Sequence, residues 1–216
     1  MNVKKTIYVL NTQGFDYQNL KRHPQYSKWF KYYCVRAHSG MQFEHIQFGE
    51  NAHGKPILNL PKDTHINVSH TDGCSVCVVS DTNVGVDVEK IEAIDLDIAK
   101  KYFALLEYRY ITDAQSSISR FNRFFEVWTM KECYLKLLGM GMYKALDSFS
   151  ITPVQGRYQL VETEDEMMQR CSFFHDIVYG KYALSVILDV ANHDLEVELL
   201  DITKNFNTEF YLMVKE

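Results

Sequence analysis

The chain has 216 residues, 46% of them hydrophobic and 13% aromatic, with a formal net charge of −5 at pH 7. That is enough for one large domain or two small ones with real cores. It excludes a general nucleic-acid binder, which presents a basic surface. No apolar run approaches the roughly 18 residues of a membrane span, and the run Ile7–Leu10 is too short for the core of a signal peptide. A cytoplasmic protein without a membrane contact is therefore expected.

In chain order, residues 3–10 read as a strand. The segment Asn19–Arg36 is the most basic region, with Lys21, Arg22, His23, Lys28, Lys31 and Arg36. Pro24 precedes a helix predicted over Ser27–Val35, with Trp29, Tyr32 and Tyr33 on its apolar side. Strand-like Glu44–Phe48 leads into the turn-rich Gly49–Pro56. Short strands follow at Ile57–Leu60 and Ile66–Ser69, then a tight turn ending at Gly73. Cys74–Ser80 and Val84–Val88 are strands at hairpin spacing. The five cysteines include a Cys74-Ser-Val-Cys77 pair. In a strand those two point to opposite faces, so buried thiols are expected rather than a metal or redox site.

Leu96–Tyr110 has helical periodicity through Ile98, Tyr102, Leu105 and Leu106, and the Ser-rich Ile111–Arg120 reads as a mobile connection. Phe124–Gly141 is the stretch around which the rest is organised. It lacks Gly and Pro up to Leu138 and stops at Gly139, as a capped helix does. Its apolar residues lie on nearly every side, so a mostly buried helix is expected. Glu126, Thr129, Glu132 and Lys136 share one arc, while Lys131 sits among apolar neighbours. Strands are predicted at 146–151, 157–161, 171–178, 182–188 and 195–202, with a hairpin turn at Tyr179-Gly-Lys181. The fold class is α+β.

Two stretches carry chemistry. In the strand Val84–Lys90 the valines face the core, while Gly85, Asp87 and Glu89 share the other face. Carboxylates about 7 Å apart on one face repel unless a cation lies near them; a solvent-facing edge is the ordinary alternative. Glu132 and Lys136, one helical turn apart, place an acceptor and a cation at one point, or form an ordinary pair on a solvated face. Together Asp87, Glu89 and Glu132 form a hard-oxygen set suited to Mg²⁺, which completes its shell with water and phosphate. Lys136 stands ready for an oxygen of the same phosphate. Ser69 and His70, at a strand end, are placed to meet an anionic or purine ligand.

Taken in order, Gly54-Lys55-Pro56, Asn67-Val-Ser-His70, Gly85-Val-Asp87-Val-Glu89-Lys90 and Trp128-Thr-Met-Lys131-Glu132-x₃-Lys136 resemble the surfactin-type 4'-phosphopantetheinyl transferases. Asp95–Tyr108 and Gly139–Ser150 extend the resemblance over roughly residues 44–152. It implies a pseudo-dimer of two similar α+β halves, 1–84 and 85–216, with coenzyme A in the cleft between them. The implied activity moves 4'-phosphopantetheine from coenzyme A to a serine of an apo acyl or peptidyl carrier protein, releasing 3',5'-ADP. Asp87, Glu89 and Glu132 would then hold Mg²⁺, with Mn²⁺ as the alternative ion.

By the same resemblance Lys136 contacts the pyrophosphate, and Glu132 also takes the serine proton. Lys55, Ser69, His70 and Lys131 join Lys136 in binding coenzyme A. Glu107 matches a further glutamate near the site, and Trp128 a packing tryptophan. Lys21, Arg22, Lys28, Lys31 and Arg36 are candidates for the 3'-phosphate. The carrier surface is expected at residues 111–123, where Arg109, Arg120 and Arg123 would meet an acidic partner. Two similar halves in one chain imply a monomer. The competing reading is a non-catalytic protein of the same fold that binds coenzyme A or a carrier; it would be expected to lack one of the matched carboxylates or lysines, and all are present.

Overall fold

The computed structural model describes residues 3–13, 25–139, 144–154, 157–161, 171–190 and 195–215. Lys21, Arg22 and His23, like the Met140–Tyr143 part of the second glycine block, lie outside the described residues. The architecture is α+β. One sheet has the order β11-β1-β5-β4, formed by β1 (Val3–Asn11), β4 (His65–Thr71), β5 (Cys74–Ser80) and β11 (Leu195–Asp201). A second has the order β6-β10-β9, formed by β6 (Val84–Lys90), β9 (Cys171–Val178) and β10 (Tyr182–Asp189). Two small ribbons complete the strands: β2 (Gln47–Glu50) with β3 (Pro56–Leu60), and β7 (Ser150–Val154) with β8 (Arg157–Val161).

The two larger sheets pack face to face, and strand alternation decides what each face touches. Ile7, Val9, Val76 and Val78 of the first sheet meet Val84, Val86, Val88 and Val186 of the second. Tyr8, Leu10, Cys77 and Val79 point the other way, onto helices α1 (Tyr26–Ser39) and α5 (Thr203–Lys215). Cys74 and Cys77 therefore do face opposite cores, and all five cysteines are free and buried. The far side of the second sheet is covered by the long helix α4 (Ser117–Leu138), which packs on β6 and β10. Outside α4 lie α2 (Asp97–Tyr102), α3 (Leu105–Thr112) and the β7–β8 ribbon.

Several elements differ from expectation for identifiable reasons. The helix expected over 96–110 is two helices, broken at Phe103-Ala104, where Ala104 N donates to Glu107 Oε2 at 3.0 Å. The Ser-rich stretch is no long connection. Ser116 caps α4, its Oγ accepting from Ser119 N at 3.1 Å, and the helix begins at Ser117, seven residues before Phe124. It ends as expected at Gly139, in the left-handed region at φ 66°. Leu146–Ser148 is a 3₁₀ turn rather than strand. The Tyr179-Gly180 turn has φ of 50° and 67°, the two positive values of a tight hairpin. Helix α5 was not anticipated. With β11 it returns the last described residues to the first sheet, where β11 runs parallel to β1 from Val3↔Leu195.

Candidate active site

The site lies where β4, β6 and α4 meet. Gly85 makes the approach of α4 possible: a β-carbon at that position would collide with the Cys133 carbonyl oxygen of the helix. The close approach inferred from Gly85 is thus that of a backbone, and it brings Glu132 and Lys136 over the polar face of β6. On the opposite side, Asn67 of β4 binds the edge of β6 through Val86 N→Oδ1 at 2.9 Å. The alternation of β4 then aims Ser69 and Thr71 at the carboxylates of β6.

Asp87 is 3% exposed. Its Oδ1 accepts from Ser69 Oγ at 2.7 Å and from Lys136 Nζ at 2.6 Å. Its Oδ2 is buried with no hydrogen-bond partner among the described residues. Glu89 Oε2 accepts from Thr71 Oγ1 at 3.0 Å. Burial, and then the neighbouring Asp87 charge, push the carboxyls of both Glu89 and Glu132 above the usual range. The three acids therefore form one electrostatic unit. Among the described residues no three His, Cys, Asp or Glu side chains enclose a single point. The unpartnered Asp87 oxygen and the all-oxygen donor set nonetheless fit a hard divalent ion that takes few protein ligands and completes its shell from solvent and phosphate.

Two cavities flank this unit. One, of about 290 Å³, is walled by Glu132 and Lys136 on one side and by Lys31, His53, Lys55 and Pro56 on the other. Its cations come from α1, from the turn before β3, and from α4. Lys55 Nζ donates to Asn83 Oδ1 at 3.2 Å and to the Leu137 carbonyl at 3.4 Å, with no carboxylate partner among the described residues. Burial lowers its pKa to about 8. The other cavity, of about 370 Å³, is walled by Thr71, Glu89, Glu92, Ile98, Phe125 and Trp128.

The remaining expectations separate. Lys28 lies over the Tyr32 ring, and Arg36 pairs with Glu209 at 3.1 Å while covering Phe43; of the described basic residues of α1, Lys31 reaches the cavity wall. His70 shares a face of β4 with Ile66 and Val68 but is exposed and outside that wall. Lys131 is not brought to either cavity. It is 0% exposed and pairs with Glu107 Oε1 at 2.8 Å. It also donates to the carbonyls of Leu146 and Phe149 at 2.7 and 2.6 Å, and lies 4.0 Å from the Phe149 ring centroid. Glu107 accepts in addition from Ile151 N at 2.7 Å. This pair joins α3, α4 and β7 in the interior. The sequence reading did not identify Thr71, His53 or Asn83. Thr71 was signalled by the same alternation that places Ser69; nothing in the turn around His53 announced that residue.

Residues 83–187 match the family model described as the 4'-phosphopantetheinyl transferase superfamily. This span holds Asp87, Glu89, Glu107, Lys131, Glu132 and Lys136, and leaves Lys55, Ser69 and His70 outside. The chain is 42% identical over 108 residues to 4'-phosphopantetheinyl transferase gsp of Aneurinibacillus migulanus, covering 50% of this chain and 44% of that one. It is 33% identical over 120 residues to 4'-phosphopantetheinyl transferase Sfp of Bacillus subtilis, covering 56% and 53%. The chain thus spans about half the length of the curated relatives it matches. A crystal structure of Thermotoga maritima holo-[acyl-carrier-protein] synthase superimposes on 52% of this chain and 64% of that one, with a TM-score of 0.44 and 17% identity.

Proposed function

From the match of residues 83–187 to the family model of the 4'-phosphopantetheinyl transferase superfamily, we propose that the protein transfers 4'-phosphopantetheine from coenzyme A to a serine of an apo carrier protein. The observation that carries the proposal is the buried, half-unpaired carboxylate of Asp87, set between Glu89, Glu132 and Lys136 at the edge of a cavity rich in cations.

Asp87, Glu89 and Glu132 are the residues that would hold Mg²⁺, or Mn²⁺ in its place. When bound, that ion supplies charge neutralisation at the pyrophosphate. Lys31, Lys55 and His53 are suited to the nucleotide end of coenzyme A, since phosphates need cations and Lys55 has no acid partner among the described residues. His70, exposed on the face of β4 that also carries Ile66 and Val68, is a further candidate there. Ser69 faces Asp87 and so acts on the carboxylate rather than on a phosphate. The second cavity, with Ile98, Phe125 and Trp128 in its wall, suits the extended pantetheine arm.

In the reaction the carrier serine oxygen forms a bond to the β-phosphorus, and the bond from that phosphorus to the bridging oxygen breaks, releasing 3',5'-ADP. Glu132 accepts the serine proton, directly or through a water. Lys136 stabilises the charge that develops on the leaving pyrophosphate oxygen. Lys131 and Glu107 take no part in the chemistry and hold the geometry. The carrier is expected to dock at the end of α3 and the start of α4. There Arg120 and Arg123 are tied to backbone carbonyls at Ala114 and Tyr110, while Arg109 is exposed.

Intact-mass measurement of an apo carrier protein incubated with the enzyme, coenzyme A and Mg²⁺ tests the proposal. The expected result is a gain of one phosphopantetheine, lost with chelator and slowed about 100-fold or more by Glu132→Gln. No gain with any of several acyl and peptidyl carriers, with coenzyme A still binding by calorimetry, would instead support the non-catalytic binding protein.

A further inference from the structure

An ammonium group has three donors, and all three of those on Lys136 are engaged at one place: Asp87 Oδ1 at 2.6 Å, Ser69 Oγ at 2.8 Å and the Val86 carbonyl at 3.2 Å. So held, it has none left for a phosphate. The role given to Lys136 in the proposed reaction requires it to leave Asp87, and a divalent ion on Asp87 would repel it from the same carboxylate. The side chain has room to do this. Its side chain is 29% exposed and lines the cavity, whereas Asp87 beneath it is buried and fixed on its strand.

We propose that Lys136 is an internal counter-ion that competes with the divalent cation for Asp87 and passes to the ligand's phosphate when the cation takes the carboxylate. The inference rests on the proposed metal role of Asp87, Glu89 and Glu132. Its physical basis is that a buried carboxylate with two acidic neighbours is costly unless compensated. Lys136 compensates Asp87 before any ligand arrives. Ser69, which donates to Asp87 and accepts from Lys136, holds the ammonium in that position. The unpartnered Oδ2 leaves the carboxylate a free oxygen by which an incoming ion can begin to displace the lysine.

Mn²⁺ affinity, measured by electron paramagnetic resonance and calorimetry without coenzyme A or carrier, tests this directly. Lys136→Met should bind Mn²⁺ about tenfold more tightly than the unaltered protein, the size expected for removing a charge-assisted competitor. Lys136→Arg keeps the charge and should bind as the unaltered protein does. In chelator Lys136→Met should melt at a lower temperature than the unaltered protein, and saturating Mn²⁺ should narrow that gap. Lys136→Gln serves the same comparison if the methionine variant does not fold. Equal or weaker binding by the neutral variants, with Mn²⁺ still bound by the unaltered protein, overturns the competition alone. Absence of Mn²⁺ binding from the unaltered protein and every variant overturns the metal set as well.

Discussion

Helix α4 carries two lysine–carboxylate pairs, Lys131 with Glu107 at 2.8 Å and Lys136 with Asp87 at 2.6 Å. By distance they are the same interaction. They differ in what surrounds them. Lys131 and Glu107 have no exposed side-chain surface, and each Glu107 oxygen is used, by Ala104 N on one side and by Ile151 N and Lys131 on the other. Lys136 stands at a cavity edge, and one oxygen of its partner is bonded to nothing. A closed set of partners fixes a fold; an open one leaves something for a ligand to do. The number of unmet bonds, not the presence of an ion pair, separates structure from chemistry here.

The comparison can be broken most decisively by removing the lysines one at a time. Lys131→Met leaves Glu107 charged or newly protonated in the interior, and should cost about 3–5 kcal/mol of folding stability in urea titrations. Lys136→Met should cost less, because the lysine is itself partly exposed and Ser69 still donates to Asp87. Equal losses would mean that both pairs are structural.

Lys55, a second lysine on the cavity wall, is tested by a pH series. Burial lowers its pKa from 10.5 to about 8. The fold therefore binds fewer protons than the unfolded chain between about pH 8 and 10.5, and the penalty for burying the charge is present below pH 8 and relieved as pH rises through that window. Coenzyme A binding should run the other way. If the ammonium holds a phosphate, affinity measured by calorimetry should fall several-fold above pH 8, and Lys55→Arg should flatten the fall. A profile unchanged by Lys55→Arg would take Lys55 out of the ligand site.

The smallest effect belongs to the rim. Arg109→Glu should raise the Michaelis constant for carrier about three- to tenfold while leaving that for coenzyme A in place. An unchanged carrier constant would move the docking face elsewhere.

What could be read from the sequence was whatever depends on local period. The inward valines of β6, its outward Gly85, Asp87 and Glu89, and the arrest of α4 at Gly139 all follow from alternation or capping. What could not be read depends on partners distant in sequence. The hydrophobic pattern around Lys131 said that it was buried, but not that Glu107 would meet it, so a core lysine was read as a ligand contact. The break between α2 and α3 has no Gly or Pro to mark it; Glu107 imposes it by accepting from Ala104 N. Helix α5 has apolar residues at the right spacing, Phe206 and Phe210, set among asparagines and threonines of poor helix propensity. Its stability comes from aromatic packing on Tyr26, Phe30 and Tyr33 of α1.

The return of the chain to its first sheet also sets an order of events in synthesis. β1 precedes every other described strand and is flanked in the finished sheet by β5 and by β11, which follows every other described strand. Until β11 and α5 have left the ribosome, one edge of β1 stands open, and Tyr26, Phe30 and Tyr33 lack the rings they pack against. The second sheet with α4 needs nothing beyond β10 and can assemble earlier. The first-sheet wall of the cleft, with α1 behind it, thus gains its full packing only after β11 and α5 have joined it.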